Sequence, residues 1–454
     1  MPVKIDSGDT AWLLASSALV LLMTPGLAFF YGGMVRVKSV LNMLLMNFAT
    51  IGLVSVLWVL YGFSLSFGPD AFGGLIGNLK YLGLAGGAID STSGTLPLLV
   101  FSAFQLMFAI ITPALISGAI ADRAKFGAWM LFVGVWVTVV YFPIAHWVFM
   151  FDGGKGGWIG DRMGALDFAG GTAVHIDAGA AGLALALVLG KRFGWPKEKF
   201  KPHNLPLVLL GAGLLWFGWF GFNAGSAVAA NGQAAVAFIN TQVATGAALL
   251  AWIVVEKIRD GKSTTLGAAS GAVAGLVAIT PACASVSPMG AILVGIAAGA
   301  ICAVAVGLKY KLGFDDSLDV VGVHLVGGIV GSLIIGFIAD GWVTGILHPG
   351  TPGPSGLFYG GGFLQLGKQT IAVIAVAGYS FILSWIIGKV IDKTIGFRIS
   401  EEDEQTGIDT TAHAESAYEF FVTGGGALAS RINSAHVATP AKAESVSAGK
   451  EDPS

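Results

Sequence analysis

Histidine placement is the feature of this chain with the most chemical content. His175 sits within GGTAVHIDAGAAGLALALVLG and His324 within VVGVHLVGGIVGSLIIGFI, each in the middle of a long apolar run. Each is followed by glycine at +4 and +7: Gly179 and Gly182, then Gly328 and Gly331. An imidazole at the centre of a membrane span is costly unless it lines a cavity or meets a partner. Three readings are open. As packing residues, each ring would bond a neighbouring helix carbonyl. As metal ligands they need a third or fourth donor, and Asp177, two residues on, lies on another helical face. As a facing pair of neutral imidazoles, each offers one N–H and one bare nitrogen, which suits sharing a proton or passing a small polar solute. Equivalent placement in two halves of one chain favours the last reading, a polar site at the interface of an internal repeat.

Other residues belong to the same argument. Asp167 opens the histidine-bearing segment in DFAGGT, where its carboxylate can cap the helix by accepting N–H groups two or three residues on. Near an outer mouth it would also favour a cation, and the two roles are compatible. Phe104 and Phe108 lie four apart in FQLMFA, Phe149 ends AHWVF, and Trp219, Phe220 and Phe222 precede Ser226. Singly, such rings are membrane anchors; together with one hydroxyl they can form a cation–π cage. Cys283 and Cys302 have neither zinc spacing nor a disulfide framework and read as small packing residues.

The elements that must position these groups are membrane helices. Of 454 residues, 55% are apolar and 11% charged, with a mean hydropathy of +0.77; soluble domains carry about 25% charged residues. The net charge of −2 implies no nucleic-acid partner. Runs of about 20 apolar residues place eleven spans near 10–32, 40–65, 97–119, 127–150, 169–190, 204–224, 236–255, 266–283, 288–308, 318–339 and 370–391. Most loop cations, from Arg36 and Lys38 to Lys309 and Lys311, fall on one side; Lys4, Lys80, Lys155, Arg162 and Lys368 are left on the other. The positive-inside rule then puts the N-terminus outside and the C-terminus inside. The expected fold is an all-α polytopic membrane protein with an inverted five-plus-five repeat, halves at about 10–190 and 204–339, and an extra eleventh helix at about 370–391. Residues 1–392 form the transmembrane domain. A charged cytoplasmic segment follows at 393–420. The Ala-, Ser-, Gly- and Lys-rich end, 421–454, is expected to be disordered.

Several long motifs in order resemble the ammonium transporter (Amt/Mep/Rh) family, Amt branch: TPGLAFFYGGMVR (24–36), FQLMFAIITPALISGAIADR (104–123), DFAGGTAVHI (167–176), GWFGFNAGSA (218–227), ITPACA (279–284), DVVGVHLVGGIVGS (319–332) and RISEEDEQTGID (398–409). The resemblance implies a trimer of eleven-helix subunits in the cell membrane, each with its own pore, and no cofactor or catalytic residue. It implies that His175 and His324 are the pore pair and proton relay. Phe108, Phe149, Ser226 and Asp167 would bind ammonium on the outer side. Phe108 and Phe222 would form a gate, with Phe104 and Gln105 close by. Asp319 would match a family carboxylate near the inner side. One departure stands out. Relatives often carry Trp three residues after the histidine of the fourth span, whereas here Phe149 follows His146 at that distance, and a phenyl face is the weaker cation–π partner.

The resemblance also implies a substrate of ammonium, ammonia or methylammonium. NH4+ would be recruited outside and deprotonated, and NH3 would pass the histidines with or without a relayed proton. Segment 393–420 would tune activity, with Thr411, Asp409 and Glu404 as its regulatory residues, and a PII-type signalling protein would be its cytoplasmic partner. The rival readings are an ammonium sensor of the same fold and a Rh-like gas channel.

Overall fold

The computed structural model describes residues 4–85, 88–198, 200–348 and 350–418; the tail expected to be disordered, 421–454, lies outside them. Among the described residues the chain is mostly helical, and ten helices are long and apolar enough to cross a membrane. In chain order the helices are α1 Ser7–Met34, α2 Val37–Phe67, α3 Leu98–Ile120, α4 Phe126–Phe149, α5 Gly171–Leu189, α6 Leu205–Gly225, α7 Gly232–Asp260, the shorter α8 Thr265–Ile279, α9 Pro288–Leu312, α10 Val321–Ile338 and α11 Leu364–Thr394. Two short helices close the described chain, α12 Glu401–Thr406 and α13 Ile408–His413.

Starts and stops follow local chemistry. Asp6, Asn204, Asn231, Thr264 and Ser287 cap α1, α6, α7, α8 and α9 by accepting the N–H of residues in the first turn, which satisfies donors that a helix cannot satisfy itself. The eighth span, expected over 266–283, stops being helical at Ile279. Pro281 has no N–H to continue the ladder. The backbone from 280 to 286 instead runs as buried turns, with the Asn240 amide donating to Cys283 O at 2.8 Å and Val286 O at 2.7 Å. Irregular backbone at membrane depth persists only where protein satisfies it in this way. The last long helix extends past the expected 370–391 at both ends, because the window stopped at polar residues such as Gln365 and Lys393 that the helix includes.

Helix α1 packs along α6, α5 lies between α3, α10 and α11, and α7, α8 and α9 pack together. The outward faces carry Leu14, Phe217, Leu250 and Ile374, all exposed in the isolated chain, as expected of surfaces that meet hydrocarbon or another subunit. Within α2, α4, α5 and α10 single turns widen to π-helix: Trp58–Gly62, Val137–Tyr141, Gly171–Ile176 and Val321–Leu325. Such turns are rare and concentrate at functional sites. Both long-run histidines lie in one.

The two histidine helices cross closely because glycine faces each crossing. A Cβ on Gly179 would meet Leu325, with its Cβ 2.6 Å away; a Cβ on Gly328 would meet Ile176 Cγ1 at 2.9 Å and His175 Cβ at 3.2 Å. The +4 glycine after each histidine thus receives the opposing wide turn. Where α5 ends and α10 begins, a buried charge cluster ties the loops together. Arg192 Nε and Nη2 donate to the two Asp315 oxygens at 2.9 Å each, and Nη1 reaches Asp122 at 3.2 Å.

Candidate functional site

A cavity of about 640 Å³ opens at one end of the bundle and is lined by Phe67, Phe101, Gln105, Phe108, Phe149, Asp167 and Ser226, among others. Sequence reasoning grouped Phe108, Phe149, Ser226 and Asp167, and the fold brings all four to this cavity. The Ser226 hydroxyl donates to Phe222 O at 2.8 Å, so its lone pairs remain available to a donor in the cavity. Trp147, next to Phe149 in sequence, is turned away: its indole donates to Leu75 O at 2.8 Å and its ring meets Tyr379 at 4.7 Å.

Phe108, on the floor of the cavity, is one half of a ring pair that separates it from the space below. Phe108 and Phe222 stack with centroids 4.2 Å apart at 29°, both essentially buried. Phe104 lies against Phe108, edge to face at 5.0 Å, and is wholly buried; it backs the pair and does not line the cavity. Phe220 is no part of the cluster. One residue is about 100° around a helix, and Phe220 faces the other way, stacked on Phe238 of α7 at 4.2 Å.

Beneath the ring pair lie the histidines. His175 and His324 stack at 5.4 Å, with Nδ1 atoms 3.3 Å apart. In a neutral pair that contact requires one Nδ1 to carry hydrogen and the other to be bare, which would put the two rings in opposite tautomers. Trp219 lies along His175 at 5.4 Å, fixed by its N–H to Thr280 Oγ1 at 2.8 Å. The space at the pair is about 10 Å³ and is walled by Met23, Leu27, Ile111, Leu115, Leu215 and Val273, barely room for one water molecule. A second narrow space of about 10 Å³ continues from His324 to Phe30, Tyr31, Ser270 and Asp319.

Asp167 does more than the simple cap expected of it. Its carboxylate accepts the N–H of Gly170, Gly171 and Thr172 at 2.7 Å each and that of Ala173 at 3.3 Å, as well as the Thr172 hydroxyl. The donors sit three to six residues on, not two or three, because the helix opens as a wide turn behind Gly170, whose φ is 113°. Asp316 was missed by sequence reasoning. It is buried and accepts from Val320 N at 3.1 Å and Val321 N at 2.7 Å, at the start of the wide turn that carries His324. The available signal was spacing: each carboxylate lies eight residues before its histidine. Asp319, the residue singled out instead, pairs with Lys309 at 2.7 Å and has a positive φ of 64°. His146 was also missed as a contact. It is buried, with Nδ1 3.0 Å from Ser66 O and Nε2 3.3 Å from Asp70, which also pairs with Arg162 at 2.8 Å.

The tail residues are docked against the same bundle. Asp409 accepts from Leu41 N at 2.9 Å and Asn42 N at 2.8 Å, at the start of α2; burial pushes its carboxyl up, although those two donors oppose the shift. Glu404 accepts from Phe193 N at 2.9 Å and Arg398 at 2.8 Å. Thr411 is exposed. Among the described residues no group of three His, Cys, Asp or Glu side chains converges to hold a metal ion.

The model of the Ammonium Transporter Family matches residues 11–418. An ammonium transporter of Mycobacterium bovis is 60% identical over 448 residues, covering 94% of this chain and 93% of that protein. One from Bacillus subtilis is 47% identical, covering 91% and 99%. The crystal structure of Candida albicans Mep2 superposes with a TM-score of 0.82 at 36% identity, covering 88% of each chain. A match along nearly the whole length, on a bundle of apolar helices, makes this chain a multi-pass membrane protein of the ammonium transporter family, a transporter and not an enzyme.

Proposed function

We propose that the chain recruits NH4+ in the open cavity, where the ion gives its proton to water or, through it, to the imidazole relay, and conducts NH3 past His175 and His324, with or without a relayed proton. The observation that carries this reading is the change in the passage: a roomy vestibule ends at the Phe108–Phe222 stack, and only about 10 Å³ of mostly apolar space surrounds the histidines. A bare cation in such a space forfeits its hydration, at many kcal/mol. Ammonia is neutral and avoids that cost. In the vestibule Phe108 and Phe149 offer ring faces, Ser226 offers lone pairs and Asp167 offers a negative field. The facing imidazoles replace the hydrogen bonds that NH3 gives up on leaving water, and their shared Nδ1 proton is the unit from which a relay would start.

The same reading takes α8 as an eleventh crossing, short because its outer end unwinds at Ile279. Helices α1–α5 and α6–α10 are then an inverted repeat, supported by the α1–α6 pairing and the matched Asp–His spacing, with the N-terminus outside and the C-terminus inside. Residues 1–392 form the transport domain, and 393–420 a cytoplasmic segment that tunes it through Asp409, Glu404 and Thr411. The unit is a homotrimer, and a PII-type protein is its cytoplasmic partner.

The test is flux into proteoliposomes holding the purified chain, read with a voltage-sensitive dye. Parent protein moves ammonium and methylammonium; His175→Ala loses transport or its selectivity. Parental, ammonium-selective flux from His175→Ala would remove the histidines from the mechanism. Binding without flux from the parent would favour the sensor reading.

A further inference from the structure

Helix α11 stands outside the expected repeat, yet it reaches the outer site through two buried amides. Gln369 Oε1 accepts from Leu166 N at 2.7 Å, and its Nε2 donates to Leu166 O at 2.7 Å. The amide therefore grips both polar groups of one residue, as a neighbouring β-strand would. The gripped carbonyl belongs to the peptide that joins Leu166 to Asp167. Nε2 also donates to Ser332 O at 3.0 Å, on α10, the helix of His324. Gln365, one turn earlier, donates to Gln369 Oε1 at 3.0 Å and to Gly164 O at 3.4 Å. Every donor and acceptor of the Gln369 amide is used, and both side chains are almost wholly buried.

We propose that Gln369 is a positioning residue for the outer site: it fixes the peptide before Asp167, and so the aim of the carboxylate, against the helix that carries His324. The inference rests on the reading of Asp167 as part of the ammonium-binding site. Segment 164–167 lines the vestibule and has no helix or strand of its own to hold it. A loop in that state takes its geometry from whatever bonds its backbone. Here α11 supplies the bonds, and it connects the recruitment site of one half to the histidine helix of the other. Gln365 acts through Gln369, holding the amide in the one orientation that serves both Leu166 groups.

The test is radiolabelled methylammonium uptake into proteoliposomes by parent, Gln369→Leu, Gln369→Glu, Gln365→Leu and Asp167→Ala, with inserted protein quantified. Leucine keeps the bulk and removes all four bonds. Glutamate keeps the acceptor for Leu166 N and loses the donors. Gln369→Leu is expected to raise the apparent KM roughly tenfold, the equivalent of one hydrogen bond's alignment, with maximal rate per inserted protein nearly kept. Gln369→Glu and Gln365→Leu should give smaller rises in KM. A purely structural role would lower the amount of protein or the maximal rate and leave KM alone, and that outcome overturns the proposal. If Gln369→Leu does not insert, Gln365→Leu decides by the same criterion. Asp167→Ala separates the two claims: a parental KM there would sink the outer-site reading, whereas a changed KM there with a parental KM in both glutamine variants sinks only the clamp.

Discussion

Gly328→Ala tests the histidine contact without touching either ring. The added Cβ would lie 2.9 Å from Ile176 Cγ1, 3.0 Å from Gly171 O and 3.2 Å from His175 Cβ. Carbon atoms in contact sit about 3.5–4.0 Å apart, so α10 must withdraw from α5 by roughly 0.5 Å. The Nδ1 atoms now 3.3 Å apart would then stand near ~3.8 Å, beyond hydrogen-bonding reach. Overpacking of this kind costs about 1–3 kcal/mol of stability, which a marginal fold can survive. The assay is ammonium-selective flux per inserted protein, set beside thermal unfolding in detergent. Gly378→Ala is the control, because nothing lies within 4 Å of its Cβ position. The expected result is a folded protein with flux lowered at least tenfold or with K+ admitted. Parental flux and selectivity from a folded Gly328→Ala would show that the close pair is incidental.

Other expectations follow from single contacts. Phe149→Trp offers the vestibule a stronger ring face, worth about 0.5–1 kcal/mol, so the apparent KM for methylammonium should fall two- to fivefold; an unchanged value would remove Phe149 from recruitment. Arg192→Leu leaves Asp315 and Asp122 buried without their main partner and should cost about 3–5 kcal/mol, read as a lower unfolding midpoint that the double variant Arg192→Leu/Asp315→Leu largely restores. Burial alone would raise the Asp70 carboxyl, but the N–H groups of Gly74 and Phe72, the His146 ring and Arg162 hold it below the ordinary 3.8. Such a group stabilises fully above its unfolded value and loses that contribution as pH falls through the folded one. The midpoint gap between parent and Asp70→Asn should therefore stay flat above about pH 5 and narrow steadily as pH falls below 3.8; a gap that does not change as pH falls below 3.8 would refute the assignment.

Which features could be read from residues alone depends on the range of the interaction behind them. Apolar run length located the long helices, since crossing hydrocarbon is a local demand on composition. The histidines stood out because a polar ring in such a run needs a partner, and each is the other's partner. Their +4 glycines were visible as a pattern, but what they admit was not: Leu325 meets Gly179 and Ile176 meets Gly328 between segments far apart in the sequence. Phe220 was grouped with Phe222 by proximity in sequence, and helical rotation separated them. The end of α8 was signalled by Pro281, whereas its rescue by Asn240 is a tertiary bond with no local trace. Asp316 was passed over for Asp319 because motif likeness outweighed the simpler count of residues to the histidine. Gln369 fell just outside the span expected at 370–391, and only the fold shows the loop it holds.

Both buried imidazoles ride on turns that contain one residue more than the ordinary pitch. Chain length there is consequently part of the site. Deleting a single residue from 171–176 or 321–325 would let the turn relax to regular winding and swing the ring by about 100°, out of the passage and into a neighbouring helix. Insertions and deletions there would displace the rings, so the tally of residues between carboxylate and imidazole is as binding on this protein as their identities.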